Sequence, residues 1–173
     1  MSMTIDAYGN ALGTALTCVD DDAPLPNDSD ICVSLARWEK DEATLQSRAE
    51  QVAVKLPNTV DVLGLQADVL SRPLLLLDFP SFADGRAYSQ ARLLRDARGY
   101  QGDIRATGEA VVRDQIAGML RSGISSFELR QDQSAEVVIT AIKDFSLAYQ
   151  GGANVGGAKT STIRQIRLGS ATN

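Results

Sequence analysis

Four consecutive leucines, Leu74-Leu75-Leu76-Leu77, stand between Pro73 and the turn Asp78-Phe79-Pro80. A run this apolar and this short, stopped by proline on both sides, is expected to be a strand buried on both faces. Strands of that kind belong to parallel sheets covered by helices, so this one stretch points the chain to an α/β fold with Leu74 to Leu77 at its centre.

The rest of the chain fits around that strand. Ile31 to Leu35, Val52 to Leu56, Asp103 to Thr107 and Ser125 to Leu129 are the other strand segments. Apolar residues recur at helical spacing between them. Leu45 and Ala49 mark a helix over Lys40 to Gln51. Val62, Leu65 and Val69 mark one over Thr59 to Leu70, and Ala87, Ala91 and Leu94 one from Ser81 to Arg98. Val112, Ile116 and Leu120 mark a helix over Glu109 to Arg121, and Val138, Ile142, Phe145 and Tyr149 the last, opened by Ser134. Ser81-x-x-Asp84 has the form of a capping box with the shorter acid, and Gly99 is placed to end the same helix. Trp38, Tyr88 and Tyr100 read as packed anchors.

Five strands, each followed by a helix and joined by connections too long for hairpins, predict βαβ crossovers and a mainly parallel five-stranded sheet. An open sandwich and a partial barrel both satisfy that order. With 173 residues the chain is short of the roughly 200 that a closed eightfold barrel needs, which favours the open sheet. Residues 1 to 30 hold Gly9, Gly13, Pro24, Pro26 and the acidic Asp20-Asp21-Asp22, with a weak alternation from Leu12 to Val19. They predict a surface arm carrying one short hairpin. Residues 31 to 150 form the α/β domain, and the Gly-rich stretch 151 to 173 a flexible extension.

Charge and missing residue types exclude several function classes. Seventeen Lys and Arg stand against 22 Asp and Glu, a net charge of −5, which gives no electrostatic reason to bind nucleic acid or an anionic membrane. The three bases after Gln150, Lys159, Arg164 and Arg167, have no acid among them, so residues 1 to 150 carry 14 − 22 = −8. Histidine is absent, which removes Ser-His-Asp and Cys-His catalysis and any imidazole metal ligand. Cys18 and Cys32 have no C-x-x-C spacing and read as two free or buried thiols, with no ligand set for zinc or an iron–sulfur cluster. No cofactor and no metal is therefore expected. The N-terminus lacks the basic and apolar regions of a secretory signal, no window approaches a membrane span, and a cytoplasmic protein is expected. Self-association is left open. Gly156-Gly157-Ala158-Lys159-Thr160 does not have the spacing of a phosphate loop, and no strand precedes it.

In an α/β sheet, ligands gather beyond the carboxyl ends of the strands. That edge collects Asp78, Ser81, Asp84, Arg86, Thr107, Gly108, Arg113 and Arg130, with Arg105 and Glu128 projecting from the strands themselves. One reading assigns Arg86, Arg105 and Arg130 to an anion such as a phosphate, sulfonate or carboxylate, with Asp78 or Asp84 as the acid/base group. The other makes the same residues capping groups and ion pairs that hold the loops.

The stretch Leu76-Leu77-Asp78-Phe79-Pro80-Ser81-Phe82-Ala83-Asp84-Gly85-Arg86 and its continuation to Arg95 resembles the bacterial domain of unknown function 934 family. So do Gly99 to Ala106, Arg113-Asp114-Gln115, Phe127-Glu128-Leu129-Arg130 and Asp144 to Gln150. The resemblance spans about residues 20 to 150. It implies a small cytoplasmic bacterial protein, described as an oxidoreductase of sulfite reduction because its genes neighbour those of assimilatory sulfite reductase. The residues offer no flavin, haem or cluster ligand. The resemblance is therefore taken to imply an accessory or small subunit acting beside the sulfite reductase hemoprotein, with a small enzyme that binds an anionic substrate at the sheet edge as the alternative.

Overall fold

A computed structural model of the chain describes residues 3–13, 16–48 and 51–150, the side chains of 147–150 excepted. The extension expected over 151–173 lies outside the described residues.

The five expected strands are present as β4 (Ile31–Ser34), β5 (Val52–Leu56), β6 (Leu74–Asp78), β7 (Asp103–Thr107) and β8 (Ser126–Leu129), and all of them run parallel. Among the described residues, however, the sheet has eight strands. Residues assigned to a surface arm supply β1 (Met3–Asp6), β2 (Ala11–Leu12) and β3 (Thr17–Cys18). The hairpin lies earlier than the alternation suggested. β1 and β2 pair antiparallel across a turn in which the Asp6 carboxylate accepts from the backbone N–H groups of Tyr8 and Asn10, and β1 also lies antiparallel to β8. β3 pairs parallel with β4 at the opposite edge, giving the order β2-β1-β8-β7-β6-β5-β4-β3. Strands of two residues carry almost no pattern, and the antiparallel β1 is invisible to a rule built on crossovers.

That order forces the sheet to curl. β2 ends at Leu12 and β3 begins at Thr17, yet they occupy opposite edges. Five Cα steps of about 3.8 Å reach at most about 19 Å. Seven strand spacings of about 4.8 Å would set the edges of a flat sheet about 34 Å apart. The result is a curled half-barrel, so of the two expected forms the partial barrel is found and the favoured open sandwich is not.

Among the described residues, helices cover only the convex face. α1 (Leu35–Gln46), α2 (Ala67–Leu70), α3 (Arg86–Asp96), α4 (Arg113–Arg121) and α5 (Ala135–Gln150) all pack into one cluster with Ile5, Val33, Val54, Leu75, Leu77, Ile104 and Phe127. Residues one position along the strands point the other way, and Cys32, Ala53, Leu74 and Leu76 form a second, smaller cluster inside the curl. Leu74 to Leu77 are thus buried on both faces, as their sequence demands, but the second face is covered by the concavity of the sheet in place of a helical layer.

Several helices are shorter than their periodicity suggests. Thr59 to Leu70 breaks into a 3₁₀ turn at Val62–Gly64, capped by the Asp61 side chain on the Leu63 N–H, and the four-residue α2. Ser81 and Asp84 form a turn before α3, with Gly85 as its N-cap and no side-chain cap. In the other direction, α1 starts at its Ser34 cap, which accepts from the Arg37 N–H, and so takes in Trp38. Trp38 is buried, donates to Asp68 Oδ2 at 2.6 Å and lies beneath the Arg72 guanidinium. Tyr88 and Tyr100 are also tied down, through Gln115 Oε1 and the Arg72 carbonyl.

Candidate functional site at the mouth of the half-barrel

Because β3 to β8 are parallel, their carboxyl ends open on one side of the sheet, and the inward residues near those ends share a cavity of about 630 Å³. Lys55 of β5, Thr107 of β7, Glu128 of β8 and Cys18 of β3 line it, with Arg130 and Asp132 from the loop after β8. β3 and β8 are five places apart in the strand order, yet Cys18 and Glu128 face the same space, which the curl alone makes possible.

Register explains the groups on the inner face. Cys32 stands beside Ala53, Lys55 beside Leu76, Leu76 beside Arg105, and Arg105 beside Ser126. Asp78, two residues beyond Leu76, reaches back diagonally, and Lys55 Nζ lies 3.1 Å from its Oδ1. Deeper in, Arg105 is buried, with its Nη2 3.8 Å from Asp103 Oδ2 and its Nε donating to Ser126 Oγ at 3.2 Å. Asp103 is held in turn by the Ser125 and Ser126 hydroxyls. Burial lowers the pKa of Arg105 from the ordinary guanidinium value, while Asp103 and Glu128 act against that shift.

Asp78, Arg105 and Arg130 therefore come from neighbouring strands, and only Arg130 reaches the cavity wall. Each sequence-selected arginine has a carboxylate partner. Arg130 pairs with Glu109 at 3.0 Å and Asp132 at 2.7 Å, Arg105 with Asp103, and Arg86 with Asp84 at 2.5 Å. Asp84 lies in the turn leading into α3 and Arg86 is the first residue of that helix; neither lines the cavity. The Arg86 hydrogen bonds hold the Asp84 carboxyl well below the usual carboxylate range. Asn58 donates to the same carboxylate, so Asp84 ties the turn before α3 to the loop after β5.

Lys55 and the cysteines are the site residues that motif reasoning passed over. Val52-Ala53-Val54-Lys55-Leu56 reads as a plain strand, but a lysine at an inward position of a buried parallel strand is itself a signal. Cys18 and Cys32 sit directly opposite each other on β3 and β4. Cys18 is exposed and Cys32 is buried. The neighbouring Cys32 thiol brings the Cys18 thiol down to about 6; Lys55 adds to that shift, while burial, Glu128 and Asp20 oppose it. The Cys18 thiol beside it, together with burial, pushes Cys32 up. Among the described residues no cluster of His, Cys, Asp and Glu is placed to hold a metal ion, and no helix is long and apolar enough to cross a membrane.

Fold and site together define a helix-backed α/β half-barrel with a charged, thiol-bearing mouth. The chain belongs to a family of bacterial proteins of unknown function (DUF934), whose model matches residues 53–158. No curated protein and no solved structure matches the chain. Cys18 and Cys32 precede the matched segment, whereas Lys55, Asp78, Arg105, Glu128 and Arg130 fall within it.

Proposed function

We propose that the chain is an accessory protein of assimilatory sulfite reduction, acting beside the sulfite reductase hemoprotein, with the mouth of the half-barrel as its working surface. The pathway follows from what resemblance to the family implies, the nearness of its genes to those of the reductase. The surface is supported by one observation: Lys55, Cys18 and the pair Glu128 and Arg130, from three separate stretches of the chain, converge on one open cavity. Parallel-strand folds place their ligands at that end. The test is a pull-down of the purified reductase hemoprotein on the immobilised chain, with sulfite reduction measured with and without it. Association together with a change in turnover supports the reading. If the two do not associate and turnover is unchanged, the reading falls.

A second reading, a small enzyme acting on an anionic substrate, draws on Lys55. Its side chain is 44 % exposed in spite of the Asp78 pair, so it can meet a ligand. The wall limits that anion. Two bases, Lys55 and Arg130, face three acids, Glu109, Glu128 and Asp132, a balance of −1. A compact anion seated at Lys55 fits better than one spread across the cavity. Sulfite, sulfate and phosphate tested separately should then raise the unfolding temperature with saturable dependence. The loss of that shift in Lys55→Met would assign it to this site.

A further inference from the structure

The geometry points to a redox-active dithiol: Cys18 attacks a low-molecular-weight disulfide at the mouth of the half-barrel, and Cys32 resolves the mixed disulfide. This stands independently of the sulfite-reduction reading, since it rests on the two cysteines and their surroundings and not on the pathway.

Three features carry it. First, Cys18 and Cys32 are register partners on adjacent parallel strands, so their side chains leave the same face. Neighbouring strands lie about 4.8 Å apart, within the roughly 4.4–6.8 Å Cα separation that a disulfide requires. Second, the two thiols differ in the way that an attacking and a resolving cysteine must. Cys18 is exposed and lines the cavity, while Cys32 is 3 % exposed among Ala53, Leu74 and Leu76. Third, a cation stands on the same face: Lys55 lies two residues beyond Ala53, the β5 partner of Cys32. The Cys18 thiol is drawn below its ordinary value, toward the thiolate that is the nucleophilic form. Among the described residues β3 is an edge strand bonded to β4 alone, which lets Cys18 close on Cys32 without breaking a second ladder.

The chemistry balances with the disulfide as oxidant. The Cys18 thiolate attacks one sulfur of R–S–S–R, a Cys18–S–R bond forms, the R–S–S–R bond breaks, and the leaving thiolate takes up a proton. Cys32 then gives up its proton and attacks Cys18 Sγ, which releases the second R–S⁻ to be protonated in turn. In sum, a protein dithiol and one disulfide yield a protein disulfide and two thiols, with two electrons passed to the substrate.

The test uses the full chain and glutathione disulfide, with free thiols trapped by alkylation and read by mass spectrometry. The wild type should lose both thiols together, release two glutathione molecules per chain, retain no adduct, and show a Cys18–Cys32 link within one chain in a peptide map. Cys32→Ser should stop at a single glutathione on Cys18, and folded Cys18→Ser should not react. At pH 6 the folded chain should react roughly tenfold faster than the urea-unfolded chain, because the gain in thiolate outweighs the lower nucleophilicity of a low-pKa thiol. A persistent wild-type adduct, a link between chains in place of one within a chain, or no thiol loss overturns the proposal. If Cys32→Ser fails to fold, the wild-type stoichiometry and peptide map decide alone.

Discussion

Lys55 Nζ sits 3.1 Å from Asp78 Oδ1, joining β5 to β6 at the rim of the half-barrel on the side where Cys18 faces the cavity. The pair is too open to matter much for folding, since exposed ion pairs contribute about 0–1 kcal/mol. Its influence is on the field at the mouth. Lys55 draws the Cys18 thiol down, and Asp78 holds the ammonium toward β6.

Opposite shifts follow from the two halves of that pair. Lys55→Met removes a cation from the neighbourhood of the thiolate, so the midpoint of Cys18 alkylation against pH should rise. Asp78→Asn frees the lysine, and the midpoint should fall. Iodoacetamide rates measured from pH 5 to 9 check both, with unfolding free energies unchanged within about 1 kcal/mol. Midpoints that do not move in either variant would separate Lys55 from the thiol.

The buried Arg105–Asp103 pair should behave differently. Both side chains are less than a tenth exposed, and Asp103 also accepts from two serine hydroxyls. Asp103→Ala would leave the guanidinium in the interior with its nearest countercharge gone, at a cost of about 3 kcal/mol or more. Arg105→Met should cost less, because Ser125 and Ser126 still satisfy the carboxylate. The double variant should recover part of the loss. Chemical denaturation of the four chains closes this cycle, and equal costs for the two single changes would contradict the account.

Much of this fold could be read from the chain, for physical reasons that also mark where reading fails. β4 to β8 are runs of four or five residues with strong burial patterns, and Leu74 to Leu77 alone implied a strand covered on both faces. β2 and β3, at two residues each, have no period to detect. The curl comes from a connection, the short reach from Leu12 to Thr17, and no local propensity encodes it. The same gap hid the site. Arg105 and Arg130 stand out as charges at strand ends, but that Cys18 faces Glu128 and lies beside Cys32 depends on edge pairing. Asp84 and Arg86 looked equally chemical, yet they satisfy each other in the turn before α3.

Gly108 closes the base of the mouth in a conformation that suits glycine. Its φ is +106°, and a Cβ there would meet the Phe79 carbonyl oxygen at 2.6 Å. That carbonyl accepts from the Ala110 N–H, and the Phe79 N–H donates to Thr107, so the backbones after β6 and β7 are locked together. Gly108→Ala should destabilise the fold by about 1–3 kcal/mol through backbone strain, with the clash added to it. Thermal unfolding reads the loss. Glutathione-disulfide exchange should fall with it if the loop shapes the cavity. A fully stable variant would mean that the two loops separate at little cost.

The thiol pair also makes stability depend on pH. Cys18 titrates at about 6 in the folded chain against an ordinary 9.0, so the folded state gives up this proton first. A group with a depressed folded pKa contributes stability that is fully present above its unfolded value and is lost as pH falls through the folded one. The margin of the wild type over Cys18→Ser should therefore widen as pH rises from 6 to 9 and be smallest below 6. Cys32, shifted upward, keeps its proton in the folded state and begins to lose it in the unfolded chain only near pH 9, a smaller opposing contribution that does not reverse the sign. Urea denaturation of both chains under reducing conditions at half-unit pH steps measures the margin. A flat or narrowing margin between pH 6 and 9 would show that the folded chain does not hold Cys18 as a thiolate.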